Sequence, residues 1–148
     1  MSRNVHTVIF SNYTIAAGAS GLCDIHLQEF DNVQFLLEMT YGATNASAAG
    51  VTLKLKGGFG TLDKTDPNLV SGSVLYALSP GMTRPVFADN FETVSDMPTF
   101  ALNSSSSQIK RLNFYLDEIG IKWPSWVRIE FTNTDILNPV TLTLRADL

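Results

Sequence analysis

The sequence predicts an all-β protein, a single antiparallel β-sandwich with a long irregular central insertion. Three observations lead there. Apolar and polar side chains alternate with a period of two in five separate segments, as strands with one buried face require. Gly-, Pro- and Asn-rich punctuation separates the segments at spacings of about 10 to 15 residues, which suits antiparallel strands better than strand–helix–strand units. The strands themselves are rich in Thr and Val, residues that fit a pleated, half-buried surface.

Taken in order, Cys23, Ile25 and Leu27 share one face and Asp24 and His26 the other. Next, Val33, Phe35, Leu37, Met39 and Tyr41 point inward against Gln34, Leu36, Glu38 and Thr40. Val51, Leu53 and Leu55 alternate with Thr52, Lys54 and Lys56, and Val127, Ile129 and Phe131 with Trp126, Arg128 and Glu130. Last, Val140, Leu142, Leu144 and Ala146 alternate with Thr141, Thr143 and Arg145. Loop signals fall between them at Ala17 to Gly21, Gly42 to Asn45, Gly57-Gly58, Asp66-Pro67-Asn68, Pro80-Gly81 and Asn133 to Asp135. Phe35, Leu37, Leu53, Ile129, Phe131, Leu142 and Leu144 are therefore expected in the core.

One segment carries two patterns. Ile109, Leu112, Leu116 and Ile119 fall at helical spacing before Gly120. A helix there would set Lys110 and Arg111 at the positive end of its dipole and Asp117 and Glu118 at the negative end. A strand with Leu112, Phe114 and Leu116 inward avoids that conflict and is the preferred reading. Residues 59–103 are irregular and hold four of the six prolines. Connections this long usually carry contacts or function. The insertion is expected to project as an arm toward a neighbouring subunit.

With 148 residues, the chain can bury roughly 70% of its unfolded surface and build one sizeable core. Charged residues are only 16% of the total, against about 25% in a typical soluble domain. The polar faces are filled instead by 13 Ser, 14 Thr and 10 Asn. No run approaches the ~20 apolar residues of a membrane helix. Lys and Arg are absent between Arg3 and Lys54 and again from Pro85 to Ile109. A nucleic-acid surface needs such residues gathered on one face. Neither a membrane nor a nucleic acid is expected as partner. Cys23 is the single cysteine, so no internal disulfide can form. No apolar signal core follows Met1-Ser2-Arg3-Asn4, which predicts a reducing compartment, or release from one.

Chemistry-bearing residues are few. His6 and His26 are the only histidines, and neither has neighbours at a metal-ligand or triad spacing. Asp24 and His26 read as an exposed, solvated pair, and Cys23 as a small buried hydrophobe. Asp63 and Asp66 could face a cation, but they lack the register of a calcium-binding loop and read better as a turn before Pro67. No catalytic group, cofactor or metal is expected. The aromatic residues are the stronger lead. Leu36, Tyr115 and Trp126 alternate outward and Trp123 is close to Trp126. They form a candidate interaction surface, since interface centres are poor in charge and rich in aromatics.

Two stretches resemble small virion proteins of tailed bacteriophages. Tyr13 to Ser20, with Cys23 to Leu27 and Asp31 to Val33, is similar to their first strands. Trp123 to Asp135, with Pro139 to Leu144, is similar to their last two, and Thr61 to Pro67 resembles a mid-chain stretch. The resemblance implies a jelly-roll-like sandwich that decorates or cements the capsid. With outward Leu36, Tyr115 and Trp126, sparse charge and edge strands to cover, a homo-oligomer, a ring or trimer, bound to the major capsid protein or another virion protein is expected. Such a protein is made in the host cytoplasm and resides in the virion. A tail or baseplate protein, or a carbohydrate-binding sandwich with Trp123, Trp126 or Tyr115 as stacking platforms, is the alternative. A small hydrolase using carboxylates among Asp63, Asp66, Asp89 and Glu92 is a more distant one.

Overall fold

In a computed structural model of the chain, the structure describes residues 6–26, 32–40, 50–58, 62–70, 76–82, 92–93, 100–103, 108–115 and 126–147. Among them are ten strands. In chain order these are β1 (His6–Ile15), β2 (Ser20–His26), β3 (Asn32–Thr40), β4 (Gly50–Gly58), β5 (Tyr76–Ala77), β6 (Glu92–Thr93), β7 (Phe100–Asn103), β8 (Gln108–Tyr115), β9 (Trp126–Asn133) and β10 (Val140–Asp147). No helix occurs among the described residues, and the segment with two patterns is a strand, β8, over Gln108–Tyr115, while 116–120 lie outside the described residues.

Pairing is nested. β1 joins β10, β2 joins β9, β3 joins β8 and β4 joins β7, all antiparallel. The chain is thus doubled back on itself as one long hairpin whose turn is the central insertion. Winding that hairpin adds the β10–β3 and β9–β4 ladders. Two sheets result, a front sheet β1-β10-β3-β8 and a back sheet β5-β2-β9-β4-β6, with β7 also on β4. Successive long strands cross from one sheet to the other. This is the strand order of a jelly roll.

Alternation along the strands fills the space between the sheets. Val33, Phe35, Leu37, Met39, Val140, Leu142, Leu144 and Ala146 face inward from the front sheet. Cys23, Ile25, Val51, Leu53, Val127, Ile129 and Phe131 meet them from the back sheet. Each of the seven expected core residues is fully buried. Phe10 of β1 packs edge-to-face on Phe131 of β9 at 5.8 Å, joining the two layers at their margin. Burial of each such large side chain contributes about 1.5–3 kcal/mol.

β1 departs from simple alternation. Its register on β10 slips between Val8 and Phe10 and again between Phe10 and Tyr13. The first slip turns both Ile9 and Phe10 into the core, and both are buried. The second holds Asn12 at φ 55°, a left-handed conformation that Asn tolerates better than most residues. Its amide donates to the Thr143 hydroxyl at 3.2 Å. Two such irregularities also blunt this edge strand against pairing with another chain.

The described part of the insertion does not project from the sandwich. β5 extends the back sheet beyond β2, with Ile25 opposite Ala77 and His26 opposite Tyr76. The strip continues as Leu78 donates its amide to the Asp24 carbonyl and Gly81 to the Leu22 carbonyl, each at 2.9 Å. Residues 68–70 run back along it, through Val70 to Ala77, Ser79 to Asn68 and a bridge between Leu69 and Leu78. The expected arm is, over 62–70 and 76–82, a flap laid on its own subunit. The rest of the insertion lies outside the described residues.

Candidate functional site

The flap changes the standing of the outward-facing residues beneath it. Trp126 does alternate to the outer side of β9, as expected, but it is only 2% exposed. Leu78 packs on it, with Leu62 and Leu69 partly buried against both. His26, directly across on β2, meets the indole edge-to-face at 4.9 Å. A tryptophan so covered offers no face to a partner or a sugar. The expectation that Trp126 belongs to an exposed interaction surface is therefore corrected: the apolar flap takes that position.

Asp24 is likewise fully buried rather than solvated. It stands directly opposite Arg128 in the β2–β9 ladder. Arg128 donates from Nε to Asp24 Oδ1 at 2.7 Å and from Nη2 to Oδ2 at 2.8 Å. This two-pronged geometry matches the guanidinium fork to the carboxylate plane. The hydrogen bonds to Asp24 hold the Arg128 guanidinium still more firmly in its charged form. The two buried charges satisfy each other.

The remaining candidates fall elsewhere. Leu36 lies on the outer side of the front sheet, half-buried. The ladders place it between Arg145 of β10 and Arg111 of β8. Arg145 itself pairs with Glu38 on β3. Tyr115 ends β8, with its side chain outside the described part, and Trp123 lies outside the described residues altogether. Leu36 and Trp126 are on opposite sheets, so the structure does not bring the two together.

Asp63 and Asp66 form turns. Asp63 Oδ1 accepts hydrogen bonds from the Thr65 amide and hydroxyl, and Asp66 Oδ1 accepts one from the Asn68 amide. The Thr65 hydroxyl, then its amide, hold the Asp63 carboxyl below its ordinary value. Cys23 is buried in the core, and desolvation, with the Asp24 charge adding to it, pushes its thiol far above the ordinary 9.0. A protonated, enclosed thiol is no nucleophile.

A surface that alternation did not point to appears at one end of the sandwich. β1 and β9 run into this end, and β2 and β10 leave from it. The 16–19 and 134–139 connections meet there. Asn133 Nδ2 donates to the carbonyls of Ala16 at 3.2 Å and Asn138 at 2.9 Å, and the Gly18 amide donates to the Asp135 carbonyl at 2.9 Å. Asp135 Oδ1 accepts from the amides of Leu137 and Asn138. Asn133 and Asp135 are both buried by this network. The two side chains it holds out, Ile136 and Leu137, are 79% and 77% exposed. A pair of large apolar residues on a hydrogen-bonded loop is a candidate contact point.

No protein-family model matches this chain, and no curated protein is significantly similar to it.

Proposed function

We propose that this chain is a structural virion protein of a tailed phage, a capsid decoration or cement protein that self-associates and binds the major capsid protein. The observation that carries the reading is the jelly-roll strand order, an architecture recurrent among viral capsid domains. The similarity of the opening and closing strands to those of small phage virion proteins supports it. So does a surface poor in charge, with Ile136 and Leu137 held out on an ordered loop. On this reading the protein has no catalytic role and acts by surface contact, as a trimer or ring in the virion. A tail or baseplate position fits the same features. Lectins share the architecture, but the burial of Trp126 removes one stacking platform from the carbohydrate reading.

Mass spectrometry of purified particles tests it. The chain should be found there in a copy number that is a simple multiple of a capsid symmetry element, and isolated chain should rebind particles stripped of it. Particles that lack the chain, or stripped particles that fail to take it up, would overturn the assignment.

A further inference from the structure

We propose that the flap works as a strap: it lifts from the back sheet as one unit while the two sheets stay closed, and in place it keeps the outer edge of β2 and the Trp126 indole covered. The device belongs to the sandwich itself and does not depend on the virion role. A segment opens ahead of its surroundings where it buries few apolar side chains and keeps most of its backbone near water. Among the described flap residues, 62–70 and 76–82, only Ala77 and Leu78 are buried. Ala77 reaches the main core with a single methyl group, and Val70 packs against that core from a half-buried position. Leu78 instead joins Trp126 in a separate cluster, with Leu62 and Leu69 partly buried against it. Lifting the flap gives up this small cluster, not the apolar layer between the sheets.

The hydrogen bonds of the flap fall into two groups. Inside it, the Val70 amide donates to the Ala77 carbonyl at 2.8 Å. The Ser79 amide and hydroxyl both donate to the Asn68 carbonyl, at 2.7 and 3.1 Å. The Asp63 and Asp66 carboxylates fix its turns, and the Lys64 ammonium lies 5.7 Å from the centre of the Tyr76 ring. All of these tie flap residues to one another and move with the flap. Holding it to β2 are the two residue pairs of β5 and the amides of Leu78 and Gly81 on the carbonyls of Asp24 and Leu22. The β2–β9 and β3–β8 ladders, by contrast, run through seven and eight pairs without a register slip. A unit with many internal ties and a short attachment comes away whole. When it does, the Leu22–His26 edge of β2 is bared, and Leu62, Leu69 and Leu78 leave the Trp126 ring. A bared strand edge beside an apolar strip accepts an extended segment as a further strand. In the closed form that segment is the chain's own.

Native-state hydrogen exchange of the full chain, followed by NMR as urea is raised below the unfolding transition, tests the strap. The amides of Val70, Leu78, Ser79 and Gly81 should exchange through one shared opening, with a common and small urea dependence because little surface is exposed. After correction for intrinsic rates they should exchange about a hundredfold faster than the amides of β10. Leu78→Asp sets a charge in the small cluster. It should speed the four flap amides by about a further tenfold, while the β10 amides remain the slower set. Flap amides that exchange only through the same opening as β10, or each independently of the others, would overturn the proposal. So would a Leu78→Asp chain without protected amides in β10, since the sheets would then need the flap in order to stay closed.

Discussion

Asp24 and Arg128 face each other across the β2–β9 ladder and close a two-pronged, buried ion pair. Removing one partner leaves the other charge enclosed, a loss of about 3–5 kcal/mol. Asp24→Ala and Arg128→Ala should each lower the unfolding free energy, read from urea titration, by that amount. The double variant, Asp24→Ala with Arg128→Ala, should cost clearly less than the sum of the two single changes. Urea titrations of the four proteins form the cycle, and strict additivity would show that the pair is not coupled.

Gly21 and Tyr13 supply a steric prediction. A Cβ at Gly21 would lie 2.9 Å from the Tyr13 Cε1 and Cζ atoms, and Tyr13 is itself braced edge-to-face on Phe10 at 5.6 Å. Gly21→Ala should therefore destabilise by about 1–3 kcal/mol, the usual cost of overpacking. In a Tyr13→Leu background the same change should cost less. Thermal melts of the single and double variants check this.

Cys23 couples stability to alkaline pH. Its thiol stays protonated in the fold well beyond 9.0, where the unfolded chain releases the proton. Above that pH the unfolded state binds fewer protons than the native one, so stability falls as pH rises, by up to about 1.4 kcal/mol per pH unit. Below it the thiol adds no pH dependence. The decline between pH 8 and 10 should be shallower in Cys23→Ala than in wild type. A thiol reagent should modify the protein only after denaturant is added; rapid labelling of the native protein would contradict the enclosed position.

Much of this fold is legible in the sequence because five strands are half-buried, and half-burial writes itself as alternation. β3 and β10, with Phe35, Leu37, Leu142 and Leu144 all inward, are read directly. β1 is not, because its two slips break the period and set Ile9 and Phe10 side by side in the core. The outer face of the back sheet misleads for a different reason. Alternation tells which side of a sheet a residue takes, and for Asp24, His26, Arg128 and Trp126 it tells correctly. It does not tell what lies over that side. Over Trp126 the cover comes from Leu62, Leu69 and Leu78, single apolar residues scattered among turns with no period to announce them. The Ile136–Leu137 tip was equally silent, since a dipeptide in a loop has no pattern. Its one signal is the Asn133-Thr134-Asp135 stretch before it, whose side chains fold the loop.

The doubled-back pairing also decides how this chain must find its structure. Asn12 meets Thr143 across 131 residues of sequence, and each outer ladder closes a longer loop than the one inside it unless that one has already formed. The β4–β7 ladder is the least costly to close, then β3–β8, then β2–β9, with β1–β10 last. Sheets made of such distant partners fold slowly, on the order of milliseconds to seconds.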